Sequence, residues 1–254
     1  MIAQTEISTL AARFRAPESQ LVRDHLISHV IAALAQLPAP LRDTITFFGG
    51  TALCRTWLPD LRLSEDIDLL VDSTTVGSEL TRLLTRSLRR EFPDHQWLHI
   101  GTRHDIATWD LVTADLGVRT QFVQWRHGWH AIPTTPTPVL LRYSDLPASA
   151  VLTVPTPSGF AAMKLMAWFD RHTPRDLYDL AALADAGHID QAACNLVRAI
   201  ARFTPNPTTR EARVPQAVEA AWRTELGHQM AITRSAPECH ALVRDALDRL
   251  GVQG

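Results

Sequence analysis

The chain reads as an α+β protein: a mixed β-sheet with helices on one side, followed by a helical domain. Three observations lead there. Short apolar or alternating runs recur near 44–48, 66–71, 95–101, 106–113 and 117–125, the spacing of successive strands. A helix-length segment, 77–92, separates the second run from the third. From about residue 188 onward the chain is Ala-rich with a helical period. The division falls near residue 154, giving a sheet-bearing domain with an N-terminal helix over 1–154 and a helical domain over 155–254.

Each element has a local reason. Over 17–36, Leu21, Val22, His25, Leu26, His29, Val30, Ala33 and Leu34 recur at three and four spacing, which predicts an amphipathic helix ending at Pro38 and packing behind the sheet. The apolar strand at 44–48 runs into Gly49-Gly50 and a short helix, then the strand at 66–71. Residues 132–138, IPTTPTP, predict an extended connection, and 149–154 a further strand. Thr156 is the expected N-cap of the next helix, with Pro157 in its first turn. Another helix starts at Thr173-Pro174-Arg175-Asp176 and stops near Gly187. FTPNPTT at 203–209 and ITRSAP at 232–237 interrupt the helical remainder.

Composition excludes several classes. No apolar run approaches the roughly 18 residues of a membrane span, and the start of the chain lacks an export signal, so a soluble cytoplasmic protein is expected. Cys54, Cys194 and Cys239 lie far apart without metal-site spacing. A formal charge of −2 confines any nucleic-acid contact to local patches. Two candidates are Arg82, Arg86, Arg89 and Arg90, at helical spacing, and the cluster Arg198, Arg202, Arg210 and Arg213; each has a solvated helix face as its alternative. Lys164 is the only lysine in the chain. An ammonium is a compact point charge suited to phosphate, unlike the planar guanidinium fork.

The chemistry concentrates in residues 44–69, TITFFGGTALCRTWLPDLRLSEDIDL. Side chains alternate along a strand, so Asp66 and Asp68 share one face, opposite Ile67, Leu69 and Val71. Two carboxylates so placed repel unless a cation lies between them, and hard Mg²⁺ takes such oxygens together with substrate phosphates. Gly49 and Gly50 permit a turn that brings the backbone close to those phosphates. The pattern is a place for a nucleoside triphosphate and its metal ions.

Residues 49–53, GGTAL, and 62–69, RLSEDIDL, resemble the signature of the AbiEii/MenT-type nucleotidyltransferase toxins of toxin–antitoxin systems. A second block, 164–180, KLMAWFDRHTPRDLYDL, resembles the same group's downstream lysine and R-D-x-x-D-L motif. Both blocks stand in the expected order, and the likeness covers roughly residues 20–185. It implies a DNA polymerase β-like nucleotidyltransferase sheet. It also implies NMP transfer from an NTP to RNA, with the 3′ end of tRNA as the expected acceptor, and a cognate antitoxin partner. By the same resemblance Asp66, Asp68, Lys164 and Asp176 are catalytic. Gly49, Gly50, Thr51, Arg62, Ser64 and Lys164 bind nucleotide, and Asp66 and Asp68 hold one Mg²⁺ or two.

Several positions keep a second reading. Thr51 either donates to phosphate or caps its helix. Ser64 either caps a turn or lies near the triphosphate, where phosphorylation would repel the nucleotide. Thr173-x-x-Asp176 has capping-box spacing, so Asp176 serves its helix start, the active site as the resemblance implies (as a third carboxylate or as a group that orients Lys164 or Arg175), or both. Asp179 is expected in a structural ion pair with Arg175 or another basic neighbour. His127, His130 and His172 lie among Trp125, Trp129 and Trp168, as packed residues or as ligands. Related sheets carry a third acid on a later strand, where VRTQFVQW offers only Gln121 and Gln124. Asp176, Asp110 or Asp115 supplies that charge, or the enzyme uses two acids and Lys164. Two rival functions remain open: a nucleotidyltransferase for a small molecule such as an aminoglycoside, and an inactive relative that binds nucleotide or RNA.

Overall fold

The computed structural model describes residues 2–59, 61–126, 128–201 and 213–251, so His127, Arg202, Arg210 and the interruption at 203–209 lie outside the described residues. It forms two compact units, Met1–Arg126 with Thr134–Val154, and His127–Pro133 with Pro155–Gly254.

The first unit opens with helices α1 (Gln4–Phe14), α2 (Glu18–Ala35) and α3 (Ala39–Arg42). Strand β1 (Ile45–Phe48) leads through the one-turn helix α4 (Gly49–Leu53) to β2 (Asp66–Val71), then α5 (Val76–Leu88), β3 (Gln96–Arg103), β4 (Ile106–Val112) and β5 (Gly117–Gln124). These strands make one sheet in the order β1-β2-β5-β4-β3. Only the β2–β5 pair is parallel; its neighbours are antiparallel, which makes the sheet mixed. α2 and α5 pack together, and α2 also contacts β5. The close approach of α5 requires Gly77, where a Cβ would meet the Phe122 ring at 3.0 Å and Trp109 Nε1 at 3.1 Å. Phe47, Ile67, Leu69 and Phe122 are all 0% exposed, placing the core on that face.

Two expectations need correction here. α2 is not amphipathic in the folded chain: Asp24, His25 and Ser28 are buried along with Leu21, Leu26 and Ile31. Its polar side is covered because Asp24 forms a buried ion cluster, 2.8 Å from Arg55 Nη2 and 3.0 Å from Arg142 Nη1. The Tyr143 hydroxyl donates to the same carboxylate at 3.0 Å. Secondly, 132–138 is more than a connection, since β6 (Thr134–Leu140) pairs with β7 (Ser149–Pro155) in a two-stranded ribbon. Pro136 and Pro138 lack an N–H on the same edge, and that edge is the one where Leu140 N–H donates to Arg55 O. The edge toward β7 keeps its donors, as in Leu141 N–H to Ala148 O.

The second unit is helical: α6 (Pro157–Arg171), α7 (Pro174–Asp185), α8 (Gln191–Ala201), α9 (Gln216–Leu226) and α10 (Ala236–Arg249), preceded by a 3-10 turn at Trp129–Ala131. Thr156 caps α6 by accepting from Gly159 N–H, and Ser235 with Glu238 forms a reciprocal capping box on α10. α7 packs against α6, α9 and α10. No described helix is long and apolar enough to cross a membrane.

Candidate active site

Strand β2 builds the acidic face. Asp66 and Asp68 are partly exposed on one side, while Ile67, Leu69 and Val71 are buried on the other. The register extends both acids into rows across the sheet. Asp66 lies opposite Arg119 on β5, which lies opposite Asp110 on β4; Asp68 lies opposite Gln121, and Gln121 opposite Thr108. Cross-strand partners share a face, so each row presents its side chains together.

These rows locate the candidates for a third acid. Beside Asp68 stands the amide of Gln121, which neither binds a cation as a carboxylate does nor accepts a proton as a base. Asp110 stands beyond Arg119, whose Nε donates to it at 3.1 Å. The hydrogen bond and charge of Asp110, with a smaller share from Asp66, raise the Arg119 guanidinium above its ordinary value. Asp115 is exposed in the turn between β4 and β5.

The Gly-Gly segment meets this face from β1. Gly49 has φ +78, a left-handed conformation that costs an L-residue strain, and a Cβ built there would fall 2.0 Å from Asp68 Oδ2. At Gly50 a Cβ would lie 2.6 Å from Arg62 Nη2 and 3.3 Å from Ser64 Oγ. Gly49, Gly50, Arg62, Ser64 and Asp68 therefore converge. Arg62 is 2% exposed, and its Nη1 donates to Leu63 O at 3.0 Å. The Thr51 hydroxyl donates to the Asp66 carbonyl oxygen, tying α4 to β2, and does not cap the helix. The donor set fits magnesium: two same-face carboxylates, oxygen-only, behind a backbone cradle that a single methyl group would fill.

Along the same face, Gln121 and Thr108 line a cavity of about 750 Å³ whose wall includes Gly101, Arg103, His104 and Arg126. Among the described residues, Asp105 is its one acidic lining residue.

Lys164 and Asp176 meet in the second unit. Lys164 Nζ is 3.0 Å from Asp176 Oδ1 and 2.7 Å from Asp179 Oδ2. Arg171 Nε reaches Asp176 Oδ2 at 2.7 Å, and the Thr173 hydroxyl donates to the same oxygen at 2.8 Å. Burial alone would raise the Asp176 pKa, but the charge of Lys164 and the hydrogen bond and charge of Arg171 pull it far below the carboxylate range. The local role expected of Asp176 takes a different form: Thr173 caps α7, and the Asp176 carboxylate turns to cations instead of closing a capping box. Asp179 pairs with Lys164, whereas Arg175 lies 3.9 Å from Glu225. Lys164 is thus the basic neighbour of Asp179, and neither Asp179 nor Arg171 stands out in the sequence as part of the Lys164 site. The i, i+3 spacing of Asp176 and Asp179 on one helical face was the available signal. His172 stacks edge-on to Trp168 at 5.0 Å, as a packed residue.

Of the candidate docking arginines, Arg82, Arg86, Arg89 and Arg90 are exposed on and just beyond α5. Arg198 donates to Asn195 Oδ1 at 3.1 Å, and Arg213 is exposed.

Comparison with known proteins places this geometry in context. Residues 32–249 match the family described as nucleotidyl transferase AbiEii toxin, type IV toxin–antitoxin system. None of the curated proteins compared with the chain matches it. Among solved structures, MenT4, a nucleotidyltransferase toxin from Mycobacterium tuberculosis, is similar at 17% identity and TM-score 0.70, over 100% of this chain and 91% of that one. JHP933 from Helicobacter pylori is similar at 15% identity and TM-score 0.57, over 92% of this chain and 93% of that one. At these identities the two likenesses speak to the fold.

Proposed function

Because the chain belongs to the AbiEii family of nucleotidyltransferase toxins, we propose that it transfers a nucleoside monophosphate from an NTP to an RNA acceptor, the tRNA 3′ end, and so blocks translation. The observation that carries the reading is the apposition of Gly49 with Asp68 and of Gly50 with Arg62 and Ser64. A triphosphate needs close backbone, a cationic side chain and metal-binding acids in one place, and the proximity of Gly49, Gly50, Arg62 and Asp68 supports that reading.

In the reaction the acceptor hydroxyl forms a bond to the α-phosphorus, and the bond from that phosphorus to the pyrophosphate oxygen breaks. Bound at Asp66 and Asp68, magnesium would neutralise charge on the triphosphate and activate the hydroxyl. Gly49 and Gly50 admit the phosphates against the backbone, and Arg62 places a guanidinium beside Gly50. With an amide at Gln121, the proton of the attacking hydroxyl passes to an acid of β2 or to water. Lys164 belongs to the same reading as a cation for the phosphates. Asp176 and Asp179 hold its ammonium in one place, so that less rotamer freedom is lost on binding.

The cavity beside Gln121 bears on the acceptor. Arg103, His104 and Arg126 against Asp105 make its wall basic, which suits a polyanionic acceptor and repels a polycationic aminoglycoside. The family also implies a cognate antitoxin as partner. Incubation of the protein with each labelled NTP and total tRNA tests the proposal: label should appear on RNA with release of pyrophosphate. Gln121 favours one competing reading, a relative that binds without turnover. NTP binding with no pyrophosphate released under any metal or RNA would replace our proposal with that one.

A further inference from the structure

A second group of ligand-type side chains lies in the first unit, away from the residues assigned to nucleotide transfer. His25 and His29 stand one helical turn apart on α2, and Asp145 lies in the loop between β6 and β7. His25 Nε2 is 2.9 Å from Asp145 Oδ2, His29 Nε2 is 3.1 Å from His25 Nε2, and His29 Nε2 is 3.3 Å from Asp145 Oδ2. Three atoms with lone pairs thus form a closed triangle.

Hydrogen bonds do not satisfy such a triangle. If both Nε2 atoms carry hydrogen and donate to Asp145, the 3.1 Å edge between them sets two donors side by side with no acceptor. If only one carries hydrogen, the lone pair of the other faces the carboxylate. Every tautomer leaves one edge repulsive. A single cation in the triangle satisfies all three edges. Zinc bonds of about 2.0 to 2.1 Å at tetrahedral angles put neighbouring ligand atoms about 3.3 Å apart. The observed edges of 2.9 to 3.3 Å lie at or just inside that spacing.

The scaffold holds the ligands in position without help from a cation. The loop that carries Asp145 is fastened to α2 next to His25. Arg142 pairs with Asp24 at 3.0 Å, and the Tyr143 hydroxyl donates to Leu21 O at 2.8 Å. Phe92 and Tyr143 wall the imidazoles, with ring centroids 5.9 and 4.9 Å from that of His25. His25 is 3% exposed, whereas the His29 and Asp145 side chains are 15% and 24% exposed, which leaves those two ligands reachable from solvent. The charge of Glu91 also acts on His29.

We propose that His25, His29 and Asp145 bind a zinc-class divalent cation that clips the β6–β7 loop to α2. Two imidazoles and one carboxylate select a late first-row ion over Mg²⁺ or Ca²⁺, which take oxygen ligands. The site is therefore separate in both place and chemistry from the Asp66/Asp68 pair.

The test is a titration of the chelator-treated full-length protein with Zn²⁺ in competition with a chromophoric chelator. The wild type should bind one equivalent through this triad. His29→Ala and Asp145→Asn, chosen because both positions reach solvent, should each weaken it more than about 100-fold. An Asp66→Asn/Asp68→Asn variant should retain it. Saturating Zn²⁺ should raise the melting temperature of the wild type by roughly 5 °C, and that of neither triad variant. Co²⁺ added to the wild type gives a readout that needs no variant: intense tetrahedral d–d bands are expected. Absence of stoichiometric zinc, binding that survives both triad substitutions, loss of zinc with the Asp66/Asp68 pair, or an octahedral cobalt spectrum would each overturn the proposal.

Discussion

Gly49 and Asp68 occupy space that only a glycine leaves free: a Cβ on Gly49 would stand 2.0 Å from the Oδ2 atom of Asp68. The contact joins the two halves of the motif, the turn after β1 and the acid on β2. Gly49→Ala must either displace the Asp68 carboxylate or shift the turn, and its φ of +78 adds about 1 to 2 kcal/mol of strain. We expect NMP transfer to fall at least about 100-fold, the scale of a 1 Å misplacement of reacting groups, while the protein stays folded. Turnover assays paired with a thermal melt check this; wild-type turnover in the alanine variant would contradict it.

Lys164 is held between Asp176 and Asp179, so Lys164→Ala removes the cation that the two buried carboxylates share and leaves Arg171 on Asp176. The expected cost to the helical unit is about 3 to 5 kcal/mol, read by chemical denaturation. The pH dependence has a definite sign. The Asp176 pKa is lowered on folding, so its contribution is complete above the unfolded value near 4 and is lost as pH falls toward the folded one. Wild-type stability should therefore drop below about pH 4, and Lys164→Ala should flatten that acid limb.

At the position opposite Asp68, Gln121 is an amide in a row where an acid would add a third ligand. Gln121→Ala should lower turnover less than about tenfold, because an amide supplies neither a proton acceptor nor a metal charge. A loss as large as that caused by Asp68→Ala would show that the amide takes part directly.

Ser64 Oγ faces Gly50, 3.3 Å from where a Cβ there would lie. Ser64→Asp should weaken NTP binding more than about tenfold by placing a charge beside an anionic ligand, and Ser64→Ala should leave it within about threefold. Calorimetry with NTP distinguishes the two.

Much of the fold is legible in the sequence because strand alternation and capping are local signals. Asp66 and Asp68 alternate with Ile67 and Leu69, and Thr156-Pro157 announces α6. What escapes local reading is long-range charge pairing. Asp24 looks like a solvent-facing helix residue until Arg55 and Arg142 arrive from 31 and 118 positions away. That pairing turns an amphipathic pattern into a buried helix. Pro136 and Pro138 argue against a strand by composition, yet both fall on the edge of β6 that faces away from β7. His25 and His29 stand at ligand spacing on α2, but they read as part of its apolar stripe, and Asp145 reaches them only through the fold. Lys164 is conspicuous as the only lysine and Asp176 is expected near it, whereas Asp179 joins them only through the packing of α6 against α7.

The most direct test of the account is pyrophosphate release from NTP as Mg²⁺ is titrated, in the wild type and in Asp66→Ala and Asp68→Ala, with tRNA as acceptor. The account predicts a saturable magnesium dependence in the wild type and a loss of more than about 1,000-fold in either variant, with the folded state intact. Turnover in both variants equal to that of the wild type would contradict it.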